Sequence, residues 1–168
     1  MNYILETEDI KTNSIIVESN NENLKSKYKE ISINIAQEGK VIYRDTKATL
    51  YSNKNYIILK IPTEVKDHIN RTIPLICVFS LKDIEENYKT CGLENTIDKI
   101  INIIENFSKR RNIPININFL IGILKNYLIK LISKKALLTR LKKNIGNFLR
   151  KIFDAIAAFF TSIFGIKR

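Results

Sequence analysis

The side chains that could carry out chemistry are few and lie far apart along the chain. His68 is the only histidine, and it follows Asp67 in a polar stretch. A general base needs a nucleophile and a cleft, and the sequence marks neither beside this histidine. Cys77 lies within an apolar run, and Cys91 precedes a glycine. One histidine and two separated cysteines do not have the spacing of a zinc site, so we predict no bound metal and no cofactor.

One acidic pattern suggests a metal-dependent alternative. Asp45 follows a strand-like run, and Glu64 and Lys66 form a Glu-x-Lys triplet further on. This order loosely resembles that of the restriction-enzyme-like nucleases, in which carboxylates bind Mg²⁺ and the lysine supports the attacking water. In that family the triplet usually lies on a core strand, whereas Pro62 precedes it here. Such triplets are common in a lysine-rich chain, and no phosphate-binding loop or serine elbow is present. We therefore predict that the protein is not an enzyme.

Charge is distributed unevenly along the chain, which has a formal net charge of +11. Residues 1–100 hold fourteen Lys and Arg residues against fifteen Asp and Glu, whereas residues 101–168 hold fourteen against Glu105 and Asp154 alone. A codon-biased genome would raise lysine everywhere, but it would not remove acids from one third of the chain. A segment that is both cationic and apolar is typical of a surface for an anionic, partly apolar partner, most often a membrane.

The first 115 residues have the pattern of an α+β domain. Residues 1–30 are polar and favour a loop with one weak helix and a short strand. Residues 93–109 place apolar side chains at steps of three and four, which predicts an amphipathic helix capped by Asn95 or Thr96. Strands are predicted over 31–36, 40–44, 48–52, 56–61, 73–79 and 113–119, the last at an edge because of Pro114. We expect a small, mostly antiparallel sheet with one packed amphipathic helix, in which the last strand completes a β-α-β unit.

Residues 116–168 form the second predicted domain, a basic amphipathic helical segment. Its apolar side chains repeat at steps of three and four over six turns. If this stripe meets a membrane, the side chains that insert are Phe148, Ile152, Phe153, Ile156, Phe159, Phe160, Ile163 and Phe164. The cations placed to contact lipid headgroups are Lys142, Lys143, Arg150, Lys151, Lys167 and Arg168.

The face opposite the stripe changes character towards the end of the chain. There it carries short or weakly polar residues and one acid: Asp154, Ala155, Ala158, Thr161, Ser162 and Gly165. Small side chains allow helices to pack closely in lipid, and they could also line a narrow path through an oligomer. This face is therefore a candidate pore or helix-packing face.

The length of the apolar segment favours a helix that lies in the membrane interface. Residues 152–166 would rise about 22 Å, which is less than the roughly 30 Å of the hydrocarbon core. Extending the segment back to residue 145 gives about 33 Å, but buries Arg150, Lys151 and Asp154. The two cations could reach a headgroup layer, whereas the acid would need a partner or water. We expect spanning only if several copies associate.

The pattern predicts a non-enzymatic membrane-associating protein of bacterial type, effector-like or toxin-like, whose C-terminal helices bind a membrane and are candidates for permeabilising it. The N-terminal domain would control the helices or receive a partner. The N-terminus lacks the basic start of a secretory signal, and two isolated thiols suit a reducing compartment, so we predict a cytoplasmic protein attached peripherally or integrally to the inner face of the membrane. The first alternative is a subunit that docks its helix on a partner protein or a second copy. Nucleic-acid binding ranks below both, because few aromatic residues are interleaved with the basic ones.

Overall fold

The computed structural model describes residues 1–164, which adopt the predicted α+β fold. In chain order the elements are β1 (Tyr3–Asp9), β2 (Ser14–Ser19), α1 (Glu22–Ser26), α2 (Tyr28–Glu38), β3 (Lys40–Asp45), β4 (Ala48–Ser52), β5 (Tyr56–Lys66), β6 (Thr72–Ser80), α3 (Leu81–Arg110) and α4 (Ile117–Phe164). The strands form one antiparallel sheet in the order β2-β1-β6-β5-β4-β3.

Strand β6 lies at the centre of this sheet, between β1 and β5. A continuous apolar run such as that of residues 73–79 predicts a strand buried on both faces, and the structure confirms this prediction. Cys77 and Val78 are successive residues, point to opposite faces, and are both fully buried. The chain can bury both because helices cover both faces of the sheet.

One face of the sheet is covered by α2, where the sequence had predicted a strand over residues 31–36. Ile31 and Ile35 are buried in one apolar cluster with strand side chains, whereas Ile33 is 55% exposed. Residues four apart share a helix face, and a residue two positions on points away. The alternation Ile-Ser-Ile-Asn-Ile thus fitted a strand, but the strand prediction was wrong.

The opposite face of the sheet meets the end of α3 and the beginning of α4. Arg110 of α3 forms a two-pronged ion pair with Glu18 of β2, with N–O distances of 3.0 and 2.6 Å. The hydroxyls of Tyr127 in α4 and Ser52 in β4 are 3.0 Å apart. These contacts tie both helices to the same side of the sheet as the buried Cys77.

The predicted helix over residues 93–109 is confirmed as the second part of α3. Ile97, Ile100 and Ile104 are buried along one side. The helix begins earlier than predicted, at Leu81, because residues 81–91 form a further helical segment. Gly92 joins the two segments with φ +83° and ψ 175°, a conformation outside the helical range.

The predicted strand over residues 113–119 was wrong, and with it the β-α-β unit. Residues 113–116 are irregular, and α4 begins at Ile117. Pro114 cannot donate a ladder hydrogen bond, and the side-chain oxygen of Asn116 accepts a hydrogen bond from the backbone N–H of Phe119 at 3.1 Å. Such a bond satisfies a free donor of the first helical turn, so Asn116 starts the helix instead of ending a strand.

Two further strands differ from the sequence expectation. Strand β1 lies in the polar N-terminal stretch where a loop was expected. Strand β5 continues past Pro62 to Lys66, since Pro62 lies opposite Pro74 at the point where the regular pairing with β6 is interrupted. Two prolines that face each other leave no unpaired N–H between them, so the strand continues.

The chain divides into two compact units, Met1–Tyr127 and Leu128–Arg168. The division falls within α4, so the first eleven residues of this helix belong to the α+β unit. Leu120, Ile123 and Leu124 of this part are buried in the first unit. Compactness thus places the boundary later than the predicted one after residue 115.

Candidate functional site

The second unit exposes a continuous row of large apolar side chains, which we call the apolar stripe. Its members are between 40% and 69% exposed: Leu137, Leu138, Leu141, Ile145, Phe148, Leu149, Ile152, Phe153, Ile156, Phe159 and Phe160. The rings of Phe159 and Phe160 pack edge to face, with centroids 6.1 Å apart. A row of this length exceeds the scattered single apolar residues that are normal on a protein surface.

The sequence folds into a helix here because nothing in it opposes one. Residues 128–164 contain no proline and a single glycine, Gly146, at which an added Cβ would meet no atom within 4 Å. Apolar residues recur at steps of three and four, so one side of the helix gathers them. The helix prediction is confirmed for this part of the chain.

Exposed cations accompany the stripe. Arg140, Lys142, Lys143, Arg150 and Lys151 all lie on the surface of α4. Asp154 is the single acid between residues 128 and 162. The unit therefore presents a positive potential beside an apolar surface.

Two lysines divide the apolar side of α4. Lys134 and Lys135 occupy positions three or four residues from Leu131 and Leu138, where the periodicity would place apolar side chains. Both lysines are exposed. The apolar stripe of the second unit therefore starts at Leu137.

The candidate pore or helix-packing face is exposed wherever the structure describes it. Asp154, Ala155, Ala158, Thr161 and Ser162 all have exposed side chains. The hydroxyl of Thr161 donates to the carbonyl oxygen of Ala157 at 2.9 Å, so it is turned back onto the helix. The exposed polar groups of this face are therefore the Asp154 carboxylate and the Ser162 hydroxyl.

Some predicted site residues lie at the end of α4 or beyond the residues that the structure describes. Ile163 and Phe164 are the last two residues of α4. Gly165, Lys167 and Arg168 lie outside the described residues.

Several residues of the site were not predicted from the sequence. Leu137 and Leu138 begin the stripe and are 58% and 47% exposed, and Arg140 adds an exposed cation. The two leucines could have been found from their steps of four and three to Leu141, which continue the apolar period.

The polar residues considered for chemistry lie in different parts of the first unit. His68 is exposed in the turn between β5 and β6. Its neighbour Asp67 shapes this turn by accepting hydrogen bonds from the backbone N–H groups of Ile69 and Arg71. Although desolvation opposes the change, these bonds and the Arg71 guanidinium lower the pKa of Asp67. Asp67 is thus occupied in holding a turn.

The two cysteines differ in exposure. Cys77 is fully buried, and burial raises the pKa of its thiol. A thiol in this state stays protonated, which makes it a poor nucleophile. The Cys91 thiol is partly exposed and donates to the carbonyl oxygen of Asn87 at 3.0 Å.

The acids of the nuclease-like pattern are not gathered into a metal site. The Asp45 carboxylate accepts from the Thr46 backbone N–H at 2.5 Å and from the Tyr43 hydroxyl at 3.1 Å. These bonds, the first above all, lower the pKa of Asp45. Glu64 and Lys66 do lie on a strand, β5. Among the residues that the structure describes, no three His, Cys, Asp or Glu side chains are close enough together to hold a metal ion.

Within residues 1–164, no helix combines the length and the apolar character needed to cross a membrane. Comparisons with protein-family models, curated proteins and solved structures give no match to this chain. The candidate site therefore rests on the chemistry and exposure of α4.

Proposed function

We propose that this chain is a non-enzymatic membrane-associating protein that binds the interface of an anionic leaflet through the second part of α4. The observation that carries the proposal is the exposed apolar stripe, with basic residues beside it and Asp154, the single acid of the segment, on the opposite face of the helix. The α+β unit would act as the control or partner module. Binding at the inner face of a bacterial-type membrane, from the cytoplasm, is the setting that fits this surface best.

The magnitudes favour stable association. A Lys or Arg near an anionic leaflet contributes about 1 kcal/mol, and full burial of a large apolar side chain contributes about 1.5–3 kcal/mol. Several of each act together in α4. Their sum exceeds the cost of immobilising a helix that is already folded, because the backbone has no further ordering to undergo.

The positions of the charged residues favour a helix that lies in the plane of the interface. In this orientation Phe153 and Phe159 point towards the acyl chains, while Arg150 and Lys151 reach the phosphate groups. Asp154 remains in water on the opposite side. A perpendicular orientation would carry this carboxylate into hydrocarbon, where an ionised group is costly.

The proposal is tested by flotation of the full chain with vesicles of phosphatidylcholine alone or mixed with phosphatidylglycerol. The wild-type chain is expected to float with the anionic vesicles. The triple variant Phe148→Ser, Phe153→Ser, Phe159→Ser should lose this binding, because it removes three exposed apolar side chains of the stripe. The matched control Ile42→Ser, Ile69→Ser removes exposed apolar side chains of the first unit and should float like the wild type.

Permeabilisation is the further part of the proposal, and the small-residue face is its candidate path. Ala158→Lys and Ser162→Lys place bulk and charge on this face without altering the stripe. If copies associate through it, these variants should reduce dye leakage from anionic vesicles while leaving flotation intact. Equal leakage by variant and wild type would exclude this path.

Docking on a partner protein is the second candidate, since an exposed apolar helix face also fits a protein groove. This function would leave the chain unbound in flotation at any lipid charge. Binding to nucleic acid would instead weaken linearly with the logarithm of salt concentration and would not need the phenylalanines.

A further inference from the structure

The exposed part of α4 contains two segments that share the apolar stripe but differ in charge. The cationic segment, residues 137–151, contains Arg140, Lys142, Lys143, Arg150 and Lys151. The phenylalanine segment, residues 152–162, contains no Lys or Arg and one acid, Asp154. Both segments expose large apolar side chains: Phe148 is 63% exposed in the first, and Phe153 69% in the second.

The two segments would bind a lipid leaflet through different interactions. The cationic segment gains from Coulomb attraction to anionic headgroups as well as from apolar burial. Within its own bounds the phenylalanine segment has apolar burial alone, because its other face carries Asp154, Ala158, Ser162 and the inward-turned hydroxyl of Thr161, and the nearest cations in the sequence are Lys151 before it and Lys167 after it. Its attachment therefore depends on how easily Phe153 and Phe159 reach the acyl chains.

Access to acyl chains is a property of the leaflet. Strong curvature spreads the headgroups apart and uncovers hydrocarbon, and interfacial amphipathic helices respond to this difference. A helix held by cations along its whole length would bind a flat anionic leaflet almost as well. A helix with a segment that lacks cations would bind a flat anionic leaflet less tightly than a curved one.

On the basis of the proposed function, we propose that α4 binds preferentially to leaflets that are both anionic and strongly curved or loosely packed. In this division the cationic segment responds to headgroup charge and the phenylalanine segment to lipid packing. The partner is thus a curved anionic lipid surface.

The experiment measures binding of the full chain to four vesicle preparations at equal lipid concentration. Pure phosphatidylcholine and an equal mixture with phosphatidylglycerol are each prepared as small sonicated and as large extruded vesicles. Small anionic vesicles should bind about tenfold more tightly than large anionic ones, the gain that one additional buried apolar side chain would give.

Two variants test which segment responds to lipid packing and which to headgroup charge. Ala158→Lys with Ser162→Lys adds cations to the phenylalanine segment at exposed positions, and should bind large and small anionic vesicles about equally. Lys142→Gln with Lys143→Gln removes cations from the cationic segment, and should lower the preference for phosphatidylglycerol while the preference for small vesicles remains.

The outcomes separate this inference from the proposed function. Equal binding of the wild type to small and large anionic vesicles would overturn the inference and leave membrane association standing. A preference for small vesicles that survives Ala158→Lys with Ser162→Lys would also overturn it. Failure of the wild type to bind any of the four preparations would overturn both.

Discussion

Gly92 holds a backbone conformation that other amino acids rarely adopt. With φ +83° and ψ 175° it lies in a region used almost solely by glycine, where a side chain costs about 1–3 kcal/mol. No atom lies within 4 Å of an added Cβ, so the cost would come from the backbone and not from a clash. The two segments of α3 depend on this residue for their change of direction.

Gly92→Ala is therefore expected to lower the free energy of unfolding by about 1–3 kcal/mol. Denaturant unfolding followed by circular dichroism measures the change. Gly122→Ala is the matched control, since Gly122 lies within α4 and has open space around it. There alanine should raise stability by up to about 1 kcal/mol. A neutral Gly92→Ala variant would mean that α3 is not bent at this residue.

Tyr28 makes stability depend on pH in the alkaline range. Burial above all, and then a hydrogen bond to the Glu6 carboxylate and the charge of that group, raise the pKa of Tyr28 above its ordinary 10.0. Between the unfolded and the folded pKa, the unfolded chain has lost this proton and the folded chain retains it. Stability from this residue is thus complete below pH 10 and declines as the pH rises further.

The expected result is that the wild-type free energy of unfolding falls above about pH 10 and that Tyr28→Phe falls less steeply. Urea unfolding at a series of alkaline pH values gives the slopes. Identical slopes in wild type and Tyr28→Phe would exclude a contribution from this residue.

At the scale of elements, α2 offers a direct test of helix against strand. In a strand, Ile31, Ile33 and Ile35 would share one face, whereas in the helix Ile33 points away from the other two. Ile35 is 2% exposed within an apolar cluster and Ile33 is 55% exposed. The two isoleucines are therefore expected to contribute differently to the free energy of unfolding.

Ile35→Ala should cost about 2–5 kcal/mol of stability, the range for deleting a buried isoleucine side chain. Ile33→Ala should change stability by less than about 0.5 kcal/mol. Both are measured by denaturant unfolding under the same conditions. Similar large losses for the two variants would support the strand that the alternation suggests.

The elements that could be predicted from the sequence are those with a long, unambiguous period. The second part of α3 has one, and α4 repeats its period over many turns, whereas β6 was identified by its uninterrupted apolar run. Residues 31–36 fit both periods, because isoleucines at positions 31, 33 and 35 alternate while two of them are also four apart. Packing against the sheet decides such a case, and one sequence does not contain that information.

The ends of elements were harder to predict for local reasons. Pro62 was expected to end β5, but another proline opposite it lets the strand continue. Residues 113–119 alternate like a strand, yet Asn116 forms a helix-starting hydrogen bond with Phe119. Exposure of the stripe could not be predicted, because the same periodicity suits a helix buried against a sheet.

At the scale of the whole molecule, charge and exposure coincide. The excess of basic residues falls largely in the second unit, and the exposed apolar stripe lies in that same unit. Two copies joined through this stripe would bring like charges together, which is unfavourable. A leaflet with anionic headgroups attracts these basic residues instead, so the positive charge of the second unit favours binding to lipid over binding to a second copy.

The most direct measurement uses the absence of tryptophan from this chain. Ile156→Trp places a single reporter on the apolar stripe, and Ala158→Trp places one on the other side of α4, two residues away. With phosphatidylglycerol vesicles carrying brominated acyl chains, membrane binding predicts a blue shift and quenching for Ile156→Trp, and neither for Ala158→Trp. No spectral change at either position would contradict membrane binding through the apolar stripe.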